Sequence, residues 1–236
     1  MKTKKEHIDR LNHAERGNAL IYVLIAIALF GALSFTLSRQ TNTSEVSSLS
    51  AETEQLVISQ MASYGGQAKS AVDQMLFTAA TNINELDFTP PGDANFDTGT
   101  VIHKVYHPQG GGLNPGRLPQ EAVNQVTTDP MPGWYLGRFN NIDWTRTNAD
   151  DVILVAFQIT EDLCNRINAS IDETIATPPS VTVQLRNILI DDALHGGTNI
   201  ELTTDGGEIC PDCHNRGSLC IENAGIYAYY SVIADQ

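Results

Sequence analysis

The chain has 236 residues, and its 14 Lys and Arg stand against 28 Asp and Glu, for a net charge of −14. With 42% hydrophobic and 18% charged residues, its composition is that of a folded chain and argues against wholesale disorder. The acidic balance repels phosphate backbones and argues against nucleic acid as a partner.

The charge is unevenly placed. Residues 1–17 carry five basic and three acidic residues, whereas residues 18–236 carry nine and twenty-five, a net of −16. Ala19–Leu37 (ALIYVLIAIALFGALSFTL) then runs for nineteen residues without charge or proline. At about 1.5 Å per residue such a helix approaches the ~30 Å hydrocarbon core of a bilayer, so the run predicts a transmembrane helix. Lys2, Lys4, Lys5, Arg10 and Arg16 precede it and Arg39 alone follows closely. This asymmetry predicts a cytoplasmic N-terminus and a domain on the other side of the membrane.

Arg16-Gly17 stands directly before the apolar run, behind a short basic leader. This arrangement resembles the class III leader of type IV pilins and pseudopilins. The resemblance implies a cut between Gly17 and Asn18 by a prepilin peptidase, with the apolar helix kept as the mature N-terminus. Asn18 stands where the family usually has Phe or Met, and Tyr22 where it usually has Glu at the fifth mature position. These departures imply an atypical, minor subunit. The phrase HPQGGGL (His107–Leu113), the LCNRIN segment around Cys164 and the Tyr-rich stretch after the last cysteine are also similar to pilin-like sequences. The resemblance further implies a structural, non-enzymatic role in the bacterial inner membrane with a periplasmic or extracellular head. Its implied partners are other pilin-like subunits, the prepilin peptidase and an inner-membrane assembly platform. The plainer alternative is an uncleaved bitopic envelope protein that binds an unknown partner.

After Arg39 the chain has no proline until Pro90. Val46, Leu49, Leu56, Ala68, Val72, Met75 and Leu76 fall at helical spacing, which predicts an amphipathic helix with a break at Gly65-Gly66. Asn82–Thr100, centred on Pro90-Pro91-Gly92, reads as a loop. Beyond it, Val101–Tyr106, Gly133–Phe139, Asp151–Ile159, Val181–Leu185 and Ile226–Ile233 read as strands. Thr160–Ala169 reads as a short helix capped by Thr160, with Leu163 and Ile167 on one face. The expected organisation is a leader (1–17), a transmembrane helix (18–38), an amphipathic helical stalk (39–82) and an α+β head (83–236). The expected fold class is α+β, a long N-terminal helix on a mostly antiparallel sheet, as in pilins.

Four cysteines follow the apolar run, Cys164, Cys210, Cys213 and Cys220. In an oxidising compartment an even count predicts two disulfides, with three pairings open. The reading favoured here joins Cys164 to one cysteine of the 210–220 segment and leaves the other two to close a small loop. Cys210-Pro-Asp-Cys213-His214 also matches C-x-x-C-H, in which two thiols attach haem c and the histidine ligates iron. That match supports an alternative, a membrane-anchored mono-haem cytochrome. Zinc on Cys210, Cys213, Cys220 or His214 is a third reading of the same letters. Gly110-Gly111-Gly112 lacks a phosphate-loop setting and reads as a turn. Asp150-Asp151 and Asp191-Asp192 read as solvated loop acids, with calcium ligation the sharper option. His103 and His107 would share a face of the predicted 101–106 strand. No G-x-S-x-G nucleophile motif occurs.

Overall fold

The computed structural model describes residues 52–78, 81–142, 147, 149–175, 177–190, 199–202 and 209–235. Two compact units divide the chain, Met1–Thr53 and Glu54–Gln236. The leader with Gly17 and Asn18, the apolar run and the first part of the stalk all lie outside the described residues. Among the described residues, no helix is long and apolar enough to cross a membrane.

Helix α1 occupies residues 52–78. Its inward stripe is Val57, Met61, Tyr64, Ala68, Ala71 and Met75, with Val72 beside it. Steps of four and three residues keep such a stripe on one side of a helix. Two expectations need correction here. The helix continues through Gly65-Gly66 without a break. A Cβ on Gly65 would sit 3.9 Å from Leu154, so this glycine lies close over the sheet. Leu56 points outward, with 58% of its surface exposed, and Val57 takes the inward place.

Four antiparallel strands form one sheet in the order β1-β2-β4-β3. They are β1 (Gly133–Asn140), β2 (Asp151–Ile159), β3 (Ser218–Asn223) and β4 (Ile226–Ala234). Three match the sequence reading; β3 was missed. Every residue of β2 is buried, because both faces of the sheet are covered. Val152, Leu154 and Ala156 face the helices, while Ile153, Val155 and Phe157 face a second core. That alternation is the period-two rule of a strand applied to two apolar layers.

Helix α2 (Glu161–Ile171) follows β2, with the Thr160 hydroxyl accepting from Leu163 N at 3.4 Å. It shares the α1 side of the sheet. The opposite face is covered by loops and by the four-residue helix α3 (Arg186–Leu189), through Val181, Leu185, Ile188, Leu189 and Leu202. The predicted strand Val181–Leu185 is therefore incorrect. Its apolar residues serve a loop that packs on a sheet face, a role periodicity does not separate from a strand. The predicted strand Val101–Tyr106 is incorrect too: Val101–His103 is a 3-10 turn, and the next residues fold back toward Asp87. His103 and His107 thus share no strand face.

Candidate functional site

The four cysteines pair as Cys164–Cys220 and Cys210–Cys213, with Cα separations of 5.5 and 5.3 Å. The first bond joins α2 to β3; the second closes a loop of the favoured kind. Cys164 and Cys220 meet because both face the helical side of the sheet. Four residues beyond Cys164, and so on the same helix face, Asn168 contacts the same strand residue. Its Nδ2 donates to Cys220 O and its Oδ1 accepts from Cys220 N, each at 2.8 Å. Helix α2 thus grips one residue of β3 through one covalent bond and two hydrogen bonds. Just beyond its end, Asp172 pairs with Arg216 at 2.8 Å. Hydrogen bonds from the Thr174 hydroxyl and amide, and then from Arg216, hold the Asp172 carboxyl down at about 2.

The C-x-x-C-H segment lies against the second core. Cys210 and Cys213 are buried among Leu202, Leu219 and Tyr230, with Pro211–Cys213 forming a 3-10 turn. His214 is exposed. With the two sulfurs bonded to each other, haem attachment would first require reduction of that bond. Among the described residues, no group of three His, Cys, Asp or Glu is arranged to hold a metal ion. Asp151 is buried and accepts from Ile142 N at 2.9 Å; Asp191 and Asp192 lie outside the described residues.

The HPQGGGL segment is a turn built around a buried lysine. Lys104 Nζ donates to the carbonyl oxygens of Asn95 and Phe96, the latter at 3.1 Å, and stands 3.8 Å from the Asp87 carboxylate. The amide of Gly111 returns to Lys104 O at 3.1 Å, and those of Gly110 and Gly112 to His107 O at 2.9 and 3.0 Å. His107 itself packs at a tilt against Phe96, 5.2 Å between ring centres, and faces Asp97 at 3.4 Å.

Between α1 and α2, above β4, an apolar groove of about 340 Å³ opens beside Met61, Gly65, Leu154, Ile167 and Tyr229. Lys69 closes one rim, donating to Ile233 O at 3.1 Å and pairing with Asp73. Apolar side chains suit such a groove. Nearby Tyr64 packs at a tilt against Trp134 at 5.0 Å between ring centres, and burial pushes its hydroxyl pKa up. The arrangement offers packing and covalent bracing.

Asn168, Lys104 and Gln158 escaped the sequence reading; the Gln158 side chain accepts from Val126 N and Thr127 N and donates to Thr127 O and Pro130 O. Gln158 alone carried a signal, as the polar residue of the otherwise apolar run Val152–Ile159. Comparison with known proteins returned no match, whether to family models, curated proteins or solved structures.

Proposed function

We propose that this chain is a pilin-like or pseudopilin-like structural subunit, drawn by its N-terminal helix from the bacterial inner membrane into a type IV pilus or type II secretion-type filament. One observation carries the reading. The uncharged run Ala19–Leu37, set directly behind Arg16-Gly17, is followed by a helix whose apolar stripe is buried on an antiparallel sheet. A filament subunit needs a helix that binds its head firmly, and α1 contributes to two of the three apolar clusters. The disulfides suit a head on the oxidising side of the membrane. Tyr22, in place of the usual glutamate, favours a minor subunit. The partners on this reading are other pilin-like subunits, the prepilin peptidase and an inner-membrane assembly platform.

Mass spectrometry of the protein from cells that carry a prepilin peptidase tests the proposal. The expected mature N-terminus is Asn18. An intact Met1, or a start beyond Leu37, would overturn it. A Soret band in the purified protein would favour the cytochrome reading instead.

A further inference from the structure

The apolar groove between α1 and α2 has a counterpart near the other end of α1. Phe77 is 91% exposed, more than any other large apolar side chain among the described residues. A ring left almost wholly in water adds nothing to the core of its own head. The groove is its complement in shape and chemistry. It holds about 340 Å³, is floored by Leu154, Tyr229 and Ile233, and is walled by Met61 and Ile167. At its mouth the small residues Ala62, Gly65 and Gly66 leave room for an incoming side chain. A shallower hollow lined by Gly66, Lys69 and Phe77 continues from it, so one surface runs along α1 from groove to ring.

That surface is neutral in an acidic protein. The segment 58–78 holds one lysine and one aspartate, Lys69 and Asp73, and they pair with each other at 3.2 Å. The net charge of −14 opposes the approach of two copies in general, whereas along this stretch of α1 no unpaired charge stands in the way. Nothing is asked of Lys69 beyond the partners it already has. Phe77 lies fifteen residues beyond Ala62. On a helix that places it about 22 Å further along the axis and about 60° round it. A copy therefore cannot fill its own groove with its own ring.

From this geometry we infer that Phe77 of one copy inserts into the α1–α2 groove of a second copy. The contact joins two different patches, so each copy keeps one free ring and one free groove, and the contact repeats instead of closing. It rests on the filament reading, which sets copies side by side with their α1 helices pointing the same way. One aromatic side chain buries roughly 150–250 Å², far below the roughly 1,200–2,000 Å² of a stable interface. The contact therefore holds no dimer in dilute solution. It acts where anchoring in one membrane or one filament has already raised the local concentration.

Thiol cross-linking of the full-length chain, in membranes of cells that carry a prepilin peptidase, tests the contact with Ser59→Cys and Gln74→Cys in one chain. Both positions are exposed. They lie about 22 Å apart along one helix, so a short bismaleimide cannot join them within a copy. Between copies the inferred contact brings Gln74, about a turn before the ring, level with Ser59 beside the groove. The four native cysteines are paired and do not compete. A ladder of dimers, trimers and larger species is expected. Phe77→Ser, at an exposed position of little weight for folding, and Ala62→Trp, which fills the mouth, should each lower the ladder about tenfold, the scale of losing one aromatic anchor. No ladder, a ladder indifferent to Phe77→Ser, or dimers alone, the mark of a two-fold pairing, would overturn the proposal. The mature N-terminus, read on the same sample, decides the filament reading separately: a start at Asn18 without a ladder removes this contact alone.

Discussion

A Cβ placed on Gly111 would lie 2.5 Å from the Val105 carbonyl oxygen and 2.8 Å from Met75 Sδ of helix α1. The first contact is with backbone, which has little room to yield. The HPQGGGL turn therefore needs its middle glycine for close approach. Gly111→Ala is expected to cost about 1–3 kcal/mol, the usual range for overpacking. Chemical denaturation of the purified protein measures this, and a loss below about 0.5 kcal/mol, within the ordinary range of surface substitutions, would contradict it. Lys104 shows the same local economy. A buried ammonium is tolerable only with oxygens around it, and two carbonyls and Asp87 supply them. Neither role is visible in seven letters of sequence, because the contacts come from Met75, Asn95 and Phe96.

At the scale of elements, β3 is an edge strand, yet its outer side is occupied. Asn168 satisfies both main-chain groups of Cys220. Glu222 N donates to Pro179 O at 2.9 Å, and Glu222 O accepts from Val181 N at 2.8 Å. An edge engaged in this way is a poor template for another strand. Asn168→Ala would leave a buried N–H and a buried carbonyl without partners, at about 2–4 kcal/mol for the pair. Urea unfolding with the disulfides intact reads the loss, and a change under about 1 kcal/mol would mean water had replaced the amide. The Cys164–Cys220 bond closes 56 residues between the same two elements. By loop entropy alone a closure of that size contributes roughly 4 kcal/mol, so it and Asn168 act on one junction.

For the whole molecule, the titrating groups define two limbs of stability against pH. Asp172 has a folded pKa of about 2, below its ordinary 3.8. Its contribution is therefore complete above the unfolded value and disappears as the pH falls from 3.8 toward about 2. The stability difference between wild type and Asp172→Asn should be present at about pH 5 and close by about pH 2. A gap that persists at the lower pH would show that the carboxylate is not the cause. On the alkaline side, burial raises the hydroxyls of Tyr64, Tyr106 and Tyr230 above their ordinary value of 10.0. Their contribution is full below that value and is lost as the pH rises beyond it, since the unfolded chain ionises first.

Much of the fold could be read from the chain alone where one local pattern had one solution. The β2 run DVILVAFQI, the Tyr-rich β4 and the Thr160-capped helix each combine period, propensity and boundary signals within a dozen residues. Val181–Leu185 and Val101–Tyr106 have strand-like composition, but among the described residues pairing there stops at single bridges, Ser180 with Glu222 and Lys104 with Asp87; sustained pairing is a long-range event that composition does not encode. Strand β3 escaped because its six residues, SLCIEN, are short and end in polar letters. Cysteine count and compartment pointed to two disulfides, and proximity in the folded chain selected Cys164–Cys220 over its rivals. The uncharged run behind Arg16-Gly17 carries the anchor and processing expectations by sequence alone. The Asn168 clamp and the Gln158 brace join residues far apart in sequence. Their chemistry was decided by tertiary structure, because a polar side chain acquires its role only from the groups that folding places within hydrogen-bond reach.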